Sequence, residues 1–289
     1  FGGFGGENGW WVILFIILLF GWGRNGYGNN NGGVMDGYVL TTDFANIERK
    51  LDAVNNGICD STFALNNAIT GGFSTAELSL DEAEQEIVHF SEICYNGFGY
   101  MRQAINEKDP VKFGELREKL IKYEAITDRI EYEIADYLNE VSKGEISSSS
   151  AVRINGMYKI IGELESIGDS GDAIGRILAR RNEHGLSFDE QQLKRLGRMC
   201  DLLDDAFKAM TNNLKVPYTS LKDITNAQDA EYNINECRNT LREEHIINIE
   251  ENSSYNYQVG VFYMDIVAEL EKMGDFMINV SEAKIAENG

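Results

Sequence analysis

Two carboxylate pairs, Glu165 with Asp169 and Glu271 with Asp275, stand four residues apart, a spacing that lets two side chains on one helix share a cation. Residues at i and i+4 lie about 5 to 6 Å apart on one face, where like charges cost a few tenths of a kcal/mol unless something positive sits between them. The pairs belong to one repeat: Gly162-Glu163-Leu164-Glu165-Ser166-Ile167-Gly168-Asp169 lines up with Ala268-Glu269-Leu270-Glu271-Lys272-Met273-Gly274-Asp275 at an offset of about 106 residues. At nearly the same offset, Glu124-Ala125-Ile126-Thr127-Asp128 lines up with Glu231-Tyr232-Asn233-Ile234-Asn235. Two antiparallel helices facing each other through such steps gather an all-oxygen ligand set suited to hard ions. A solvated acidic face is the competing reading, since a chain this acidic often places Glu and Asp four apart. Recurrence in both copies favours the cation, as do the stripe Met264, Ala268, Glu271, Asp275 and Ile278, otherwise apolar, and Gly168 and Gly274, which let another helix approach.

The elements that must position these residues are helical. From Ala76 onward the apolar residues recur at three- and four-residue steps and no alternating, strand-like run appears. The pattern predicts helices over about 80–106, 111–141, 151–181, 188–214, 221–247 and 255–286. Asp109-Pro110, Lys143-Gly144, His184-Gly185 and Pro217 mark joints between them, and the run Ser147 to Ser150 offers an N-cap. The two prolines, Pro110 and Pro217, each precede the middle helix of a three-helix unit, where a missing N–H does least harm. The expected fold is all-α: two tandem antiparallel three-helix bundles, over 76–185 and 186–289.

Residues 1–37 differ in composition. Gly-rich arms flank the apolar run Trp10 to Phe20, which reads either as a membrane anchor bordered by Trp10, Trp11 and Trp22 or as a buried segment. At about 1.5 Å per residue the run is short for a hydrocarbon core of about 30 Å, and no basic region precedes it as in a signal peptide. Within 38–75, Phe44, Ile47, Leu51, Val54 and Ile58 write a narrow stripe on an amphipathic helical linker. The chain begins at Phe1 rather than Met, as a piece of a longer or processed protein would.

A formal charge of −21, from 26 basic and 47 acidic residues, repels phosphate backbones and argues against nucleic acid as a partner. Cys59, Cys94, Cys200 and Cys237 lie too far apart for a metal-binding pair and read as free thiols in a reducing compartment. Glu86 with His89 is the lone Glu-x-x-His step, whereas a ferritin-like di-iron bundle needs two. No nucleophile and base pair and no phosphate-cradling Gly loop is recognisable, so an enzyme is not expected.

Twin three-helix units ending in Leu-Glu-x-Ile/Met-Gly-Asp resemble the PhoU family over about Ala76 to Ile285. Ile134-Ala135-Asp136-Tyr137-Leu138-Asn139, Glu165 to Asp169 and Tyr257 to Asp265 are more narrowly similar to the cytoplasmic PhoU-like tail of bacterial sodium/phosphate cotransporters. The resemblance implies a six-helix domain with two metal clusters and a role in regulating phosphate uptake at the cytoplasmic face of the bacterial inner membrane. The first cluster would use Glu124, Asp128, Glu165 and Asp169; the second would use Glu231, Glu271 and Asp275, with Asn235 where a carboxylate is expected. The implied cofactor is a divalent or trivalent ion: iron, manganese, magnesium or zinc. The implied partners are a transporter membrane domain, another membrane or signalling protein, or a second copy in a homodimer. The alternative is a metal-free helical-bundle interaction protein that oligomerises through its N-terminal region.

Overall fold

The computed structural model describes residues 76–286, apart from 145 and 252–254. The expected apolar run, the linker stripe and Cys59 lie outside the described residues. Within them the chain forms six α-helices and no strand: α1 Ala76–Asn106, α2 Pro110–Ser142, α3 Ser148–Glu183, α4 Glu190–Lys215, α5 Thr225–Glu251 and α6 Tyr257–Ala286, with a 3-10 turn at Tyr218–Ser220 before α5. The all-α expectation holds. No described helix is long and apolar enough to cross a membrane.

Local chemistry sets the helix ends. Asp109 caps α2, accepting from the Val111 and Lys112 backbone N–H groups at 2.8 and 3.1 Å, and Pro110 takes the first helical position, where its missing N–H is harmless. Ser147 caps α3 by accepting from Ser150 N, which starts that helix three residues earlier than the apolar pattern suggested. Gly185, at φ 65°, takes the left-handed turn that closes α3. A reciprocal capping box between Asp189 and Gln192 opens α4.

The expectation that Pro110 and Pro217 mark equivalent joints is corrected. Pro217 leads into the 3-10 turn, and α5 begins only at Thr225, whose backbone N–H is received by the Asp223 carboxylate at 3.0 Å. Leu221, with extended backbone, and Ile224 are buried, so the segment between the 3-10 turn and α5 is a packed strap rather than a free loop.

α1, α2 and α3 pack mutually, as do α4, α5 and α6; α3 against α6 and α1 against α4 then join the two triplets. One continuous apolar core runs through both, from Phe90, Leu138 and Leu164 to Phe207, Ile266 and Leu270. Cys94, Cys200 and Cys237 are free thiols within it. Glu84 of α1 bridges the halves, pairing with Arg153 of α3 at 3.1 Å and with buried Lys284 of α6 at 3.2 Å.

Ile126 of α2, although apolar, is only half-buried. The buried seam runs instead through Phe113, Leu116, Leu120, Tyr123, Thr127, Ile130 and Ile134, in steps of three and four. Glu124, Asp128 and Glu131 each follow a seam residue directly, so they line its margin. The stripe read through Met264, Ala268, Glu271, Asp275 and Ile278 likewise borders the α6 core: Ala268 is exposed and the other four are half-buried, while Ile266, Leu270, Met273 and Met277 fill the interior.

Candidate metal centre

The approach of α2 to α3 decides which carboxylates meet. At Gly168 an added Cβ would sit 2.3 Å from Thr127 Oγ1, and at Gly175 one would sit 3.0 Å from Leu120 Cδ1. α2 therefore lies against bare α3 backbone at two points one heptad apart, which sets both the distance and the register. Glu124 and Asp128 flank Thr127, and Asp169 follows Gly168, so this register brings them face to face. Ligand oxygens of Glu124, Asp128 and Asp169 lie within 4.8 Å of one another.

Two oxygens on one ion are separated by at most twice the ion–oxygen distance, about 4.2 Å for Mg²⁺ and about 5 Å for Ca²⁺. The trio therefore suits a hard cation, the smaller ions requiring a modest closing of side chains. Asp128 and Asp169 are exposed and Glu124 is half-buried, leaving solvent a share of any coordination sphere.

Glu165 is one turn back from Asp169 and outside the trio, yet it feels the same field. Burial first, then Asp169, Glu131 and Asp128, push its carboxyl up to about 7. Burial also raises Asp169, with Asp128 adding to it and Arg176 opposing. Glu124 is raised by burial and then by Asp128, Asp172 and Asp169. Sequence reasoning missed Glu131 and Asp172, whose signal is their position three residues beyond Asp128 and Asp169. Asp172 is buried and already engaged by Arg117 and by Arg176, the latter at 2.5 Å.

A pH dependence follows. Glu165 is protonated more readily folded than unfolded, so its ionisation opposes folding. That contribution is absent below about 4.5, its ordinary value, and grows as pH rises toward about 7. In EDTA, wild type and Glu165→Gln are expected to unfold alike near the lower limit, with the variant more stable at the upper one by about 1 kcal/mol after solvent screening. Urea titrations across that window check it; parallel pH profiles would remove the electrostatic strain.

The second set is built differently. Gly274 meets Ile234 as Gly168 meets Thr127, so α5 and α6 repeat the register of α2 and α3. The oxygens of Glu231, Glu271 and Asp275 nevertheless do not converge as the first trio does. Arg238 Nη1 donates to Glu271, and Asn235 Nδ2 donates to Glu231. Asn235 Oδ1 is buried with no hydrogen-bond partner. Burial raises both Glu271 and Asp275, while Arg238 acts against both shifts and Arg242 against that of Glu271. Arg238 was also missed from sequence, where it reads as one exposed helix cation among several. His89, on α1, is 3.8 Å from Glu86 and belongs to no group of three or more converging ligand atoms among the described residues.

Residues 87–178, which contain the first set, match the PhoU domain family. The fold is similar to the phosphate transport system regulatory protein PhoU from Streptococcus pneumoniae (TM-score 0.58, 17% identity, covering 74% of this chain and 96% of that one). It is similar as well to PhoU from Pseudomonas aeruginosa (TM-score 0.57, 16% identity, covering 74% and 98%). No curated protein sequence matches the chain significantly.

Proposed function

From a PhoU domain at residues 87–178, we propose that the chain is a metal-bearing regulatory module of phosphate uptake. The observation that carries the reading is the convergence, inside that domain, of Glu124, Asp128 and Asp169 oxygens from two helices. These residues would hold a hard cation such as Mn²⁺, Mg²⁺ or oxidised iron, with Glu165 supporting from the next turn. The cation supplies positive charge that offsets the repulsion among these carboxylates. Oxygen donors with no nitrogen or sulfur among them make zinc the weaker candidate.

The chain's own contribution is positional. The glycine contacts of α3 hold two rows of like charge together, so the spacing of α2 and α3 responds to whatever neutralises them. A half-open carboxylate face of this kind can report cation or partner binding through helix packing, which is a regulator's task. Similarity of Ile134 to Asn139 and of Tyr257 to Asp265 to cotransporter tails suggests the membrane domain of a sodium/phosphate cotransporter as partner, at the cytoplasmic face of the inner membrane.

The test is metal analysis of the full chain after reconstitution with Mn²⁺ or Fe³⁺, beside Glu165→Ala/Asp169→Ala. The wild type is expected to retain metal and the variant to lose most of it. Equal, negligible contents would end the metal reading, and phosphate uptake indifferent to the variant in cells carrying the cotransporter would end the regulatory one.

A further inference from the structure

The two halves share a backbone register, so their side chains can be compared position by position. Thr127 against Gly168 corresponds to Ile234 against Gly274. From that anchor, Asp128 corresponds to Asn235, Glu131 to Arg238 and Ala135 to Arg242, while Glu124 and Glu231 are alike. On the facing helix the acids are kept: Glu165 and Asp169 match Glu271 and Asp275.

On α5, the changes at the positions facing these acids fall on one face and run in the same electrostatic direction; farther along α6, Ile278 and Glu282 stand where α3 has Asp172 and Arg176. In the first half, Glu131 adds a negative charge to a field already felt by Glu165. In the second, the same helical position carries a guanidinium, and that group donates to Glu271. Both partners are largely withdrawn from water, with side-chain exposures of 25% for Arg238 and 17% for Glu271. A charge-assisted bond in such a setting is considerably stronger than a surface ion pair.

We infer that Arg238 is the built-in counter-cation of the second carboxylate set, which takes no metal while Arg238 is present. The charge a metal ion would bring is already delivered by a side chain, permanently and without dependence on solution conditions, because a guanidinium stays protonated. An incoming ion would have to displace Arg238 from Glu271 and leave the guanidinium with the neutral Asn239 Oδ1, to which it also donates, in place of a carboxylate, a costly exchange at a partly buried site. Asn235 completes the change by removing one carboxylate and donating to Glu231. Cation response is thereby confined to α2 and α3, while α5 and α6 form a metal-independent half. The contrast between halves rests on the metal reading of the first set; the role of Arg238 does not.

The experiment uses full-length chains reconstituted with Mn²⁺. Bound metal is expected to be lost in Asp128→Asn/Asp169→Asn and unchanged in Glu271→Gln/Asp275→Asn. Metal that survives the first pair of changes and leaves with the second overturns the inference, yet leaves the chain a metal protein. If the wild type takes no metal, the proposed function fails and a cycle in EDTA decides the inference. Arg238→Met, which keeps the aliphatic stem, is expected to lower the urea midpoint, and adding Glu271→Gln to restore most of that loss; an unchanged midpoint or purely additive losses overturn it. In the Asp128→Asn/Asp169→Asn background, Asn235→Asp/Arg238→Gln is expected to acquire Mn²⁺ binding that Glu271→Gln abolishes again. A folded chain of that composition with no bound metal overturns the inference as well.

Discussion

Replacing Asp128 and Asp169 together with asparagine is expected to raise stability in EDTA and to abolish any stabilisation by cations. Both side chains are exposed, so neutral, nearly isosteric amides disturb little packing. What changes is charge: Asp128 acts on Glu165 and Asp169, and Asp169 acts on Glu124 and Glu165. Relieving such repulsion at exposed sites contributes about 0.5 to 1 kcal/mol. A cation present at about a hundred times its dissociation constant would stabilise the wild type by about 2.7 kcal/mol. The order of stability should therefore invert between the two conditions, with wild type below the variant in EDTA and well above it in saturating Mn²⁺. Urea unfolding of both chains under both conditions reads this directly. A variant weaker in EDTA would mean that the carboxylates serve packing or capping rather than cation capture.

Gly168→Ala is expected to cost about 1 to 3 kcal/mol, the range for overpacking a filled interface. The new methyl would overlap Thr127 on all fronts, 2.3 Å from Oγ1 and 2.9 Å from both Cβ and Cγ2. Thr127 has no easy retreat: it is β-branched, 1% exposed, and its hydroxyl donates to Glu124 O at 2.8 Å. α2 must move as a body, carrying Glu124 and Asp128 away from Asp169, so cation stabilisation should weaken along with the fold. Gly274→Ala meets the mobile Cδ1 end of Ile234 at 2.9 Å and should cost less. Gly114→Ala, exposed on α2 with nothing within 4 Å, should instead stabilise by about 0.5 to 1 kcal/mol through helix propensity. Denaturation midpoints that rank the three variants otherwise would refute the packing account of the register.

These experiments depend on features of unequal visibility in the sequence. The i and i+4 spacing of Glu165 with Asp169 is local, and a helix converts it into a shared face wherever the helix lies. Three- and four-residue apolar steps, the Asp109-Pro110 start and the Ser147 cap are local too, which is why the helices, their order and the repeat were legible. The joint at Pro217 was not, because a turn signal marks where a helix stops and says little about how a buried strap such as Leu221 to Ile224 postpones the next.

Local chemistry alone determined that residues 76–286 repeat a three-helix unit, with Glu-x-x-x-Asp or Glu-x-x-x-Asn steps on the second and third helices of each. Tertiary structure alone decided which acids meet. Seating Thr127 on Gly168 aligns residues some forty positions apart, so Glu124, Asp128 and Asp169 converge while Glu165 stands just outside. It also showed that the opening pairs differ in kind: one faces more carboxylates, the other a guanidinium at Arg238. Spacing along a helix is encoded by residues a turn apart, whereas the field at a carboxylate is summed over every charge packed near it, and that sum exists only once the helices are in register.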